Sequence, residues 1–120
     1  MKRENVIAEK SMAFAVRIVK LSRYLRNEKQ EYELGRQIMR SGTSIGANVH
    51  EAIHGQSRAD FVSKMSIALK EAAETKYWLK LLEQSEILMG IEYESLDKDC
   101  DEIVSLLVAI VKSTKTKNNS

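Results

Sequence analysis

The sequence predicts an all-α fold, an antiparallel up-down-up-down four-helix bundle, and three observations carry that expectation. There is no proline in 120 residues, so nothing removes a backbone donor or clashes with a preceding turn inside a helix. Apolar residues recur three and four apart through four long segments, the period of one helical face. Only 6% of residues are aromatic, while Ala, Leu, Glu, Lys and Arg are plentiful, a balance that favours helix over strand. A chain of this length is one domain large enough to bury its own core. Residues 1–112 are assigned to the bundle, and residues 113–120 to a polar C-terminal tail that frays.

The first helix is expected at about residues 5–27, with Ile7, Phe14, Ile18, Leu21 and Leu25 inward. The second runs from about 31 to 54 and turns Leu34, Ile38, Ile45, Val49 and Ala52 to the core. The third, at about 57–86, opens on Ser57, whose hydroxyl can cap the helix, and Asp60 favours its positive end. Phe61, Met65, Ala68, Leu69, Ala72, Leu79 and Leu82 form its inner face. Gly90 marks the next break. The fourth helix, about 92–112, places Leu96, Cys100, Ile103, Leu107 and Ile110 on one side. Short connections force neighbouring helices antiparallel, each about 33 Å long at 1.5 Å per residue. Gly42 and Gly46 each cost about 1 kcal/mol inside a helix, so residues 41–48 are either a break or a continuous helix. The continuous helix is favoured, because its small face lets a neighbour approach closely enough to offset that cost.

Two helices carry more apolar surface than one core needs. Met12, Val16 and Val19 form a second stripe on helix 1, and Ile67, Trp78 and Leu81 a second stripe on helix 3. Aligned exposed stripes of this kind mark subunit contacts, so a homo-oligomer is expected.

The formal net charge is only +2, but it is unevenly spread. Residues 1–56 carry 10 basic and 6 acidic side chains, a net +4; residues 57–120 carry 9 and 11, a net −2. With a turn near Lys29, Arg23 comes level with Arg36, and Lys20 with Arg40. Together with Arg17 and Arg26 they form a positive strip suited to phosphate. RNA or DNA is thus one expected partner, and a solvated charged face is the competing reading.

The sharpest enzymatic match is His50-Glu51-Ala52-Ile53-His54, the H-E-x-x-H spacing that sets two imidazoles one helical turn apart for zinc. A catalytic zinc also needs a third protein ligand, and the sequence holds no other histidine. Asp60 is the nearest carboxylate, whereas Glu71 and Glu74 fall about 16–20 Å further along the axis. Cationic side chains also suit a helix C-terminus without any metal. Cys100 reads as a small buried hydrophobe, and the acids at 97, 99, 101 and 102 lack the glycine turn of a calcium loop. The expectation is a non-enzymatic protein with no cofactor, no metal and no small-molecule substrate. The single cysteine and the absence of any long apolar run point to a soluble, cytoplasmic protein without a membrane span.

The stretch R-S-G-T-S-I-G-A-N-V-H-E-A, followed by S-R-A-D-F-V-S-K-M-S-I-A-L-K-E-A-A-E-T-K-Y-W-L-K-L-L, resembles the four-helix-bundle family of 23S rRNA intervening-sequence proteins. F-A-V-R-I-V-K-L in helix 1 fits as well, and the resemblance covers about residues 8 to 112. Arg40, Ser44, Ile45, Asn48 and Glu51 match the family pattern, as do Asp60, Phe61, Ala68, Glu71, Glu74, Tyr77 and Trp78. The resemblance implies an antiparallel bundle assembled as a homopentamer, without established catalytic residues. A related group, the accessory variability determinants of diversity-generating retroelements, uses a pentameric bundle with a basic surface to engage nucleic acid and a reverse transcriptase. Many relatives have proline where this chain has Gly46. The pattern does not require histidine at positions 50 or 54, which weakens the zinc reading. A protein-interaction scaffold blind to nucleic acid is the alternative function.

Overall fold

A computed structural model describes residues 2–119, with side chains placed through residue 115. Four helices follow one another: α1 Arg3–Asn27, α2 Tyr32–Ile53, α3 Arg58–Gln84 and α4 Gly90–Asn119. Each packs against its neighbours in sequence, and α1 closes the ring against α4. The result is the expected antiparallel up-down-up-down bundle, 50 × 22 × 22 Å in extent. Helix α4 continues through the segment expected to fray and reaches Asn119; Met1 and Ser120 lie outside the described residues.

The inward stripes are where the periodicity places them. Ile7, Phe14, Ile18, Leu25, Ile38, Ile45, Val49, Met65, Leu79, Leu82, Ile103 and Leu107 are the largest fully buried side chains. Their removal from water is the main favourable term in folding, worth about 1.5–3 kcal/mol per large aliphatic side chain. Leu34, Phe61 and Leu69 sit at the margin of this core, partly buried. Ser57 caps α3 as expected, its hydroxyl accepting the Asp60 backbone N–H at 3.0 Å.

The connections are tight for identifiable reasons. After α1, Gln30 takes φ 55° and the Glu31 N–H reaches back to the Leu25 carbonyl at 2.8 Å, satisfying a carbonyl orphaned at the helix end. After α3, Glu86 adopts φ 62° and the Ile87 N–H returns to the Leu82 carbonyl at 2.9 Å. Leu88 is then tucked into the core, and Gly90, at φ 65°, starts α4.

Residues 41–48 are continuous helix. The reason lies on α1. A Cβ on Gly42 would stand 2.7 Å from Ile18 Cγ2, and one on Gly46 would stand 3.4 Å from the Ser11 carbonyl oxygen. At Gly35 the same position is 3.3 Å from the Ser22 carbonyl oxygen. At Gly42 the Ile18 side chain leaves no room for a methyl, while at Gly46 the α1 backbone lies at ordinary contact distance, and close packing offsets the poor helix propensity. Buried hydroxyls complete the seam: Ser22 donates to the Gly35 carbonyl at 2.7 Å and Ser11 to the Ala8 carbonyl at 3.3 Å. Between α2 and α3, the Ser41 and Thr75 hydroxyls lie 2.9 Å apart, and Thr75 Oγ1 is 2.8 Å from the Glu71 carbonyl. With one proton each, Thr75 donates to the carbonyl and Ser41 donates to Thr75.

The seam between α1 and α4 is the most sparsely packed of the four. Ion pairs cross it instead, Lys10 to Glu102 at 3.2 Å and Arg17 to Asp99 at 2.6 Å.

Candidate functional site

The basic residues of α1 and α2 do not form one strip. Arg17 reaches across to Asp99 on α4. Arg40 turns the other way, onto α3, where it meets Glu71 at 3.2 Å and also Glu74. Arg36 pairs with Glu33 of its own helix at 3.5 Å. Lys20 and Arg23 remain exposed, with no acidic partner among the described residues. Arg17 and Arg40 therefore sit on opposite flanks, each already facing a carboxylate. The acids responsible come from helices that a two-helix register leaves out.

The Arg40 cluster is a built feature. Glu74 accepts the Trp78 indole N–H at 3.0 Å and bonds Arg40 as well. The indole N–H holds the Glu74 carboxyl below its usual value, with Arg40 adding to the effect, and Glu74 in turn raises the Arg40 guanidinium. Lys76 forms the counterpart between α3 and α4, bonded to Asp97 at 2.9 Å and Asp101 at 2.7 Å. Partial burial works against its charge, but the Asp101 and Asp97 hydrogen bonds outweigh that and raise its pKa.

The apolar stripes fare unevenly. Met12 is 66% exposed and Val16 48%, whereas Val19 is half-buried. Ile67 is exposed, but Trp78 packs partly against the core and Leu81 is half-buried. Beside the α1 stripe lies a groove of about 620 Å³ between α1 and α2, floored by Ala8, Ala15, Gly46 and Ala47 with Met12 at its edge. It follows from the same small residues that let the two helices approach. Tyr77 is exposed on α3 next to Trp78, its ring edge-on to the indole; an interrupted apolar period does not reveal it.

His50 stands on the last turn of α2 and His54 at its C-cap, with ring centroids 4.4 Å apart, tilted by 40°. His54 Nδ1 lies 3.0 Å from the His50 carbonyl oxygen. Glu51 pairs with Lys64 at 3.1 Å, so the residue that would activate water is engaged with α3. Asp60 lines the same open depression as the two histidines and Glu51. Among the described residues, no three His, Cys, Asp or Glu side chains converge into a full metal-ligand set. Cys100 is buried, its sulfur 3.4 Å from the Ala72 carbonyl, and burial pushes its thiol up to about 12. No helix is long and apolar enough to cross a membrane among the described residues.

Fold and surfaces together define a class: a small antiparallel four-helix bundle whose distinctive chemistry lies on its outer faces. The chain belongs to the 23S rRNA-intervening sequence protein family, whose model matches residues 3–109. It is also similar to a solved protein of unknown function from the S23 ribosomal protein family of Bacteroides thetaiotaomicron VPI-5482. The two share 53% sequence identity at a TM-score of 0.90, over 92% of this chain and 99% of that one. No curated protein matches.

Proposed function

We propose that this chain is a non-enzymatic, self-associating bundle of the cytoplasm that serves as an accessory to a nucleic acid or ribonucleoprotein. The observation that carries this reading is the outward face of α1. There Met12 and Val16, 66% and 48% exposed, share a helical face with Lys20 and Arg23, the cations left without acidic partners. An apolar stripe of this kind is costly on an isolated monomer. Exposed Ile67 lies on a different helix, α3, and two unlike patches that meet head to tail close into a ring when the rotation allows. A ring of five is the assembly that the family resemblance implies. Closure would gather one Lys20–Arg23 pair per subunit and raise the local positive potential above that of one chain.

Fluorescence anisotropy with structured RNA and with duplex DNA, at several salt concentrations, tests the nucleic-acid part. Binding should weaken with salt and be lost in Arg23→Glu/Arg36→Glu. Absence of salt-sensitive binding by the wild-type chain refutes it. Light scattering tests the assembly: Val16→Glu should shift the wild-type oligomer to smaller species while leaving the helix content unchanged. A monomeric wild-type chain refutes that part.

The ion pairing of Arg17 and Arg40 with carboxylates favours a second reading, a protein-interaction scaffold without nucleic acid. Partners that stay bound after nuclease treatment would support the scaffold over the accessory.

A further inference from the structure

We propose that His50 and His54 form a two-histidine chelate for a divalent transition-metal ion such as Zn²⁺ or Ni²⁺, bound at the C-terminal end of α2. The proposal stands apart from the functional reading above and involves no catalysis.

Four features point to it. First, His50 lies in the last turn of α2 and His54 is the C-cap residue four positions on, and the two rings are already 4.4 Å apart. Two imidazole nitrogens sharing one ion would each stand about 2.0–2.1 Å from it, and rings already this close need little rearrangement. Second, His54 Nδ1 lies 3.0 Å from the His50 carbonyl oxygen. A nitrogen facing a carbonyl must carry the proton, so the lone pair of the neutral ring is on Nε2. Metal-binding histidines are commonly oriented in this way, by donating the other ring N–H to a carbonyl. Among the described residues the His50 ring nitrogens have no hydrogen-bond or ion-pair partner, and the ring stacks against His54.

Third, the surroundings favour positive charge. The pair sits at the C-terminal end of α2, His50 in its last turn and His54 at its C-cap, where the helix dipole is negative. The Asp60 carboxylate is close by: a Cβ on Gly55, the residue after His54, would stand 2.3 Å from Asp60 Oδ2. Fourth, both histidines are exposed, so an ion can enter with part of its water shell, and water completes its coordination. Imidazole suits zinc and nickel, whereas magnesium prefers oxygen and keeps its waters.

Tag-free, full-length protein titrated calorimetrically with NiCl₂, ZnCl₂ and MgCl₂ tests the proposal. The expected result is one Ni²⁺ or Zn²⁺ per chain, no detectable Mg²⁺, and a thermal midpoint that rises with Ni²⁺ concentration because the ion binds the folded state. His50→Gln and His54→Gln should each weaken Ni²⁺ binding at least about tenfold, since loss of even an outer partner typically costs that much. Glu51→Gln should leave binding unchanged. Both histidines are exposed, so circular dichroism of the variants should match the wild type. Ni²⁺ affinity within twofold of wild type in either histidine variant overturns the proposal, as does Ni²⁺ binding that survives in His50→Gln/His54→Gln.

Discussion

Replacing Gly42 by alanine sets two effects of opposite sign against each other. Alanine is the better helix former by about 1 kcal/mol. Against this, the new methyl would stand 2.7 and 2.8 Å from Ile18 Cγ2 and Cγ1 and 3.2 Å from Ile18 Cβ. Ile18 is 0% exposed, and its Cβ does not move when χ1 rotates, so the side chain cannot swing clear. Overpacking of this kind costs about 1–3 kcal/mol, which leaves Gly42→Ala destabilised by roughly 0–2 kcal/mol. Gly46→Ala is the control. Its methyl meets the Ser11 carbonyl oxygen at 3.4 Å, so most of the gain of about 1 kcal/mol is kept. Calorimetric melting should place the Gly46 variant above wild type and the Gly42 variant at or below it. The gap should be several degrees, at roughly 4 °C per kcal/mol for a chain of this size. A double-mutant cycle adds a second check. Ile18→Ala alone costs about 2–5 kcal/mol and should cost less beside Ala at position 42, because that methyl refills part of the space. Equal rises in melting temperature for the two glycine variants would refute close approach as the reason for Gly42.

Further expectations concern buried polar groups and titration. Thr75→Val should destabilise the bundle by about 1–3 kcal/mol, since it strands the fully buried Ser41 hydroxyl. Ser41→Ala/Thr75→Val should cost less than the two single changes summed, as measured by urea midpoints. Cys100, its thiol pushed up to about 12 by burial, should resist alkylation at pH 8 until denaturant unfolds the chain; rapid labelling of the native protein would contradict this. Trp78 is the single tryptophan, so its emission reports on Glu74. The Glu74 carboxyl is depressed in the folded state, first by the Trp78 N–H and then by Arg40. Its contribution to stability is therefore present above the unfolded value of about 4.5 and lost as pH falls through the lower folded value. Emission should titrate with a midpoint below 4.5, and Glu74→Gln should abolish the step.

The helices and their inner faces were legible because burial imposes a period that a single strand of text preserves. Ile7 to Leu25 and Leu96 to Ile110 needed no partner to be recognised. The glycines of α2 were legible only as a choice, because whether Gly42 breaks a helix depends on Ile18 and Ser11 across the seam. The basic strip failed for a related reason. A register between α1 and α2 aligns Lys20 with Arg40 but is silent about Asp99, Glu71 and Glu74, which draw Arg17 and Arg40 to opposite flanks. The end of α4 was misplaced because Ser113 and Thr114 look like a tail. In the fold Thr114 donates to the Ile110 carbonyl at 2.7 Å and the helix runs on. Trp78 was grouped with the exposed stripe on helical phase alone, whereas its indole N–H is tied to Glu74.

The seams of the bundle are not held alike, and the one between α1 and α4 leans most on ion pairs. Between α1 and α2 the contact is close uncharged packing of Ile18 and the α1 backbone against the glycines of α2, which dissolved salt cannot reach. Between α1 and α4 the Lys10–Glu102 and Arg17–Asp99 pairs bridge the gap with side chains 37% to 45% exposed, each worth at most about 1 kcal/mol. Raising ionic strength screens such pairs and leaves the glycine seam untouched. Ion pairs also cross the α2–α3 and α3–α4 seams, but those seams are more densely packed, so added salt would loosen α4 from α1 first while α1 and α2 stay clasped as a hairpin. Amide exchange in concentrated salt would record this as faster opening along α4 than along α2.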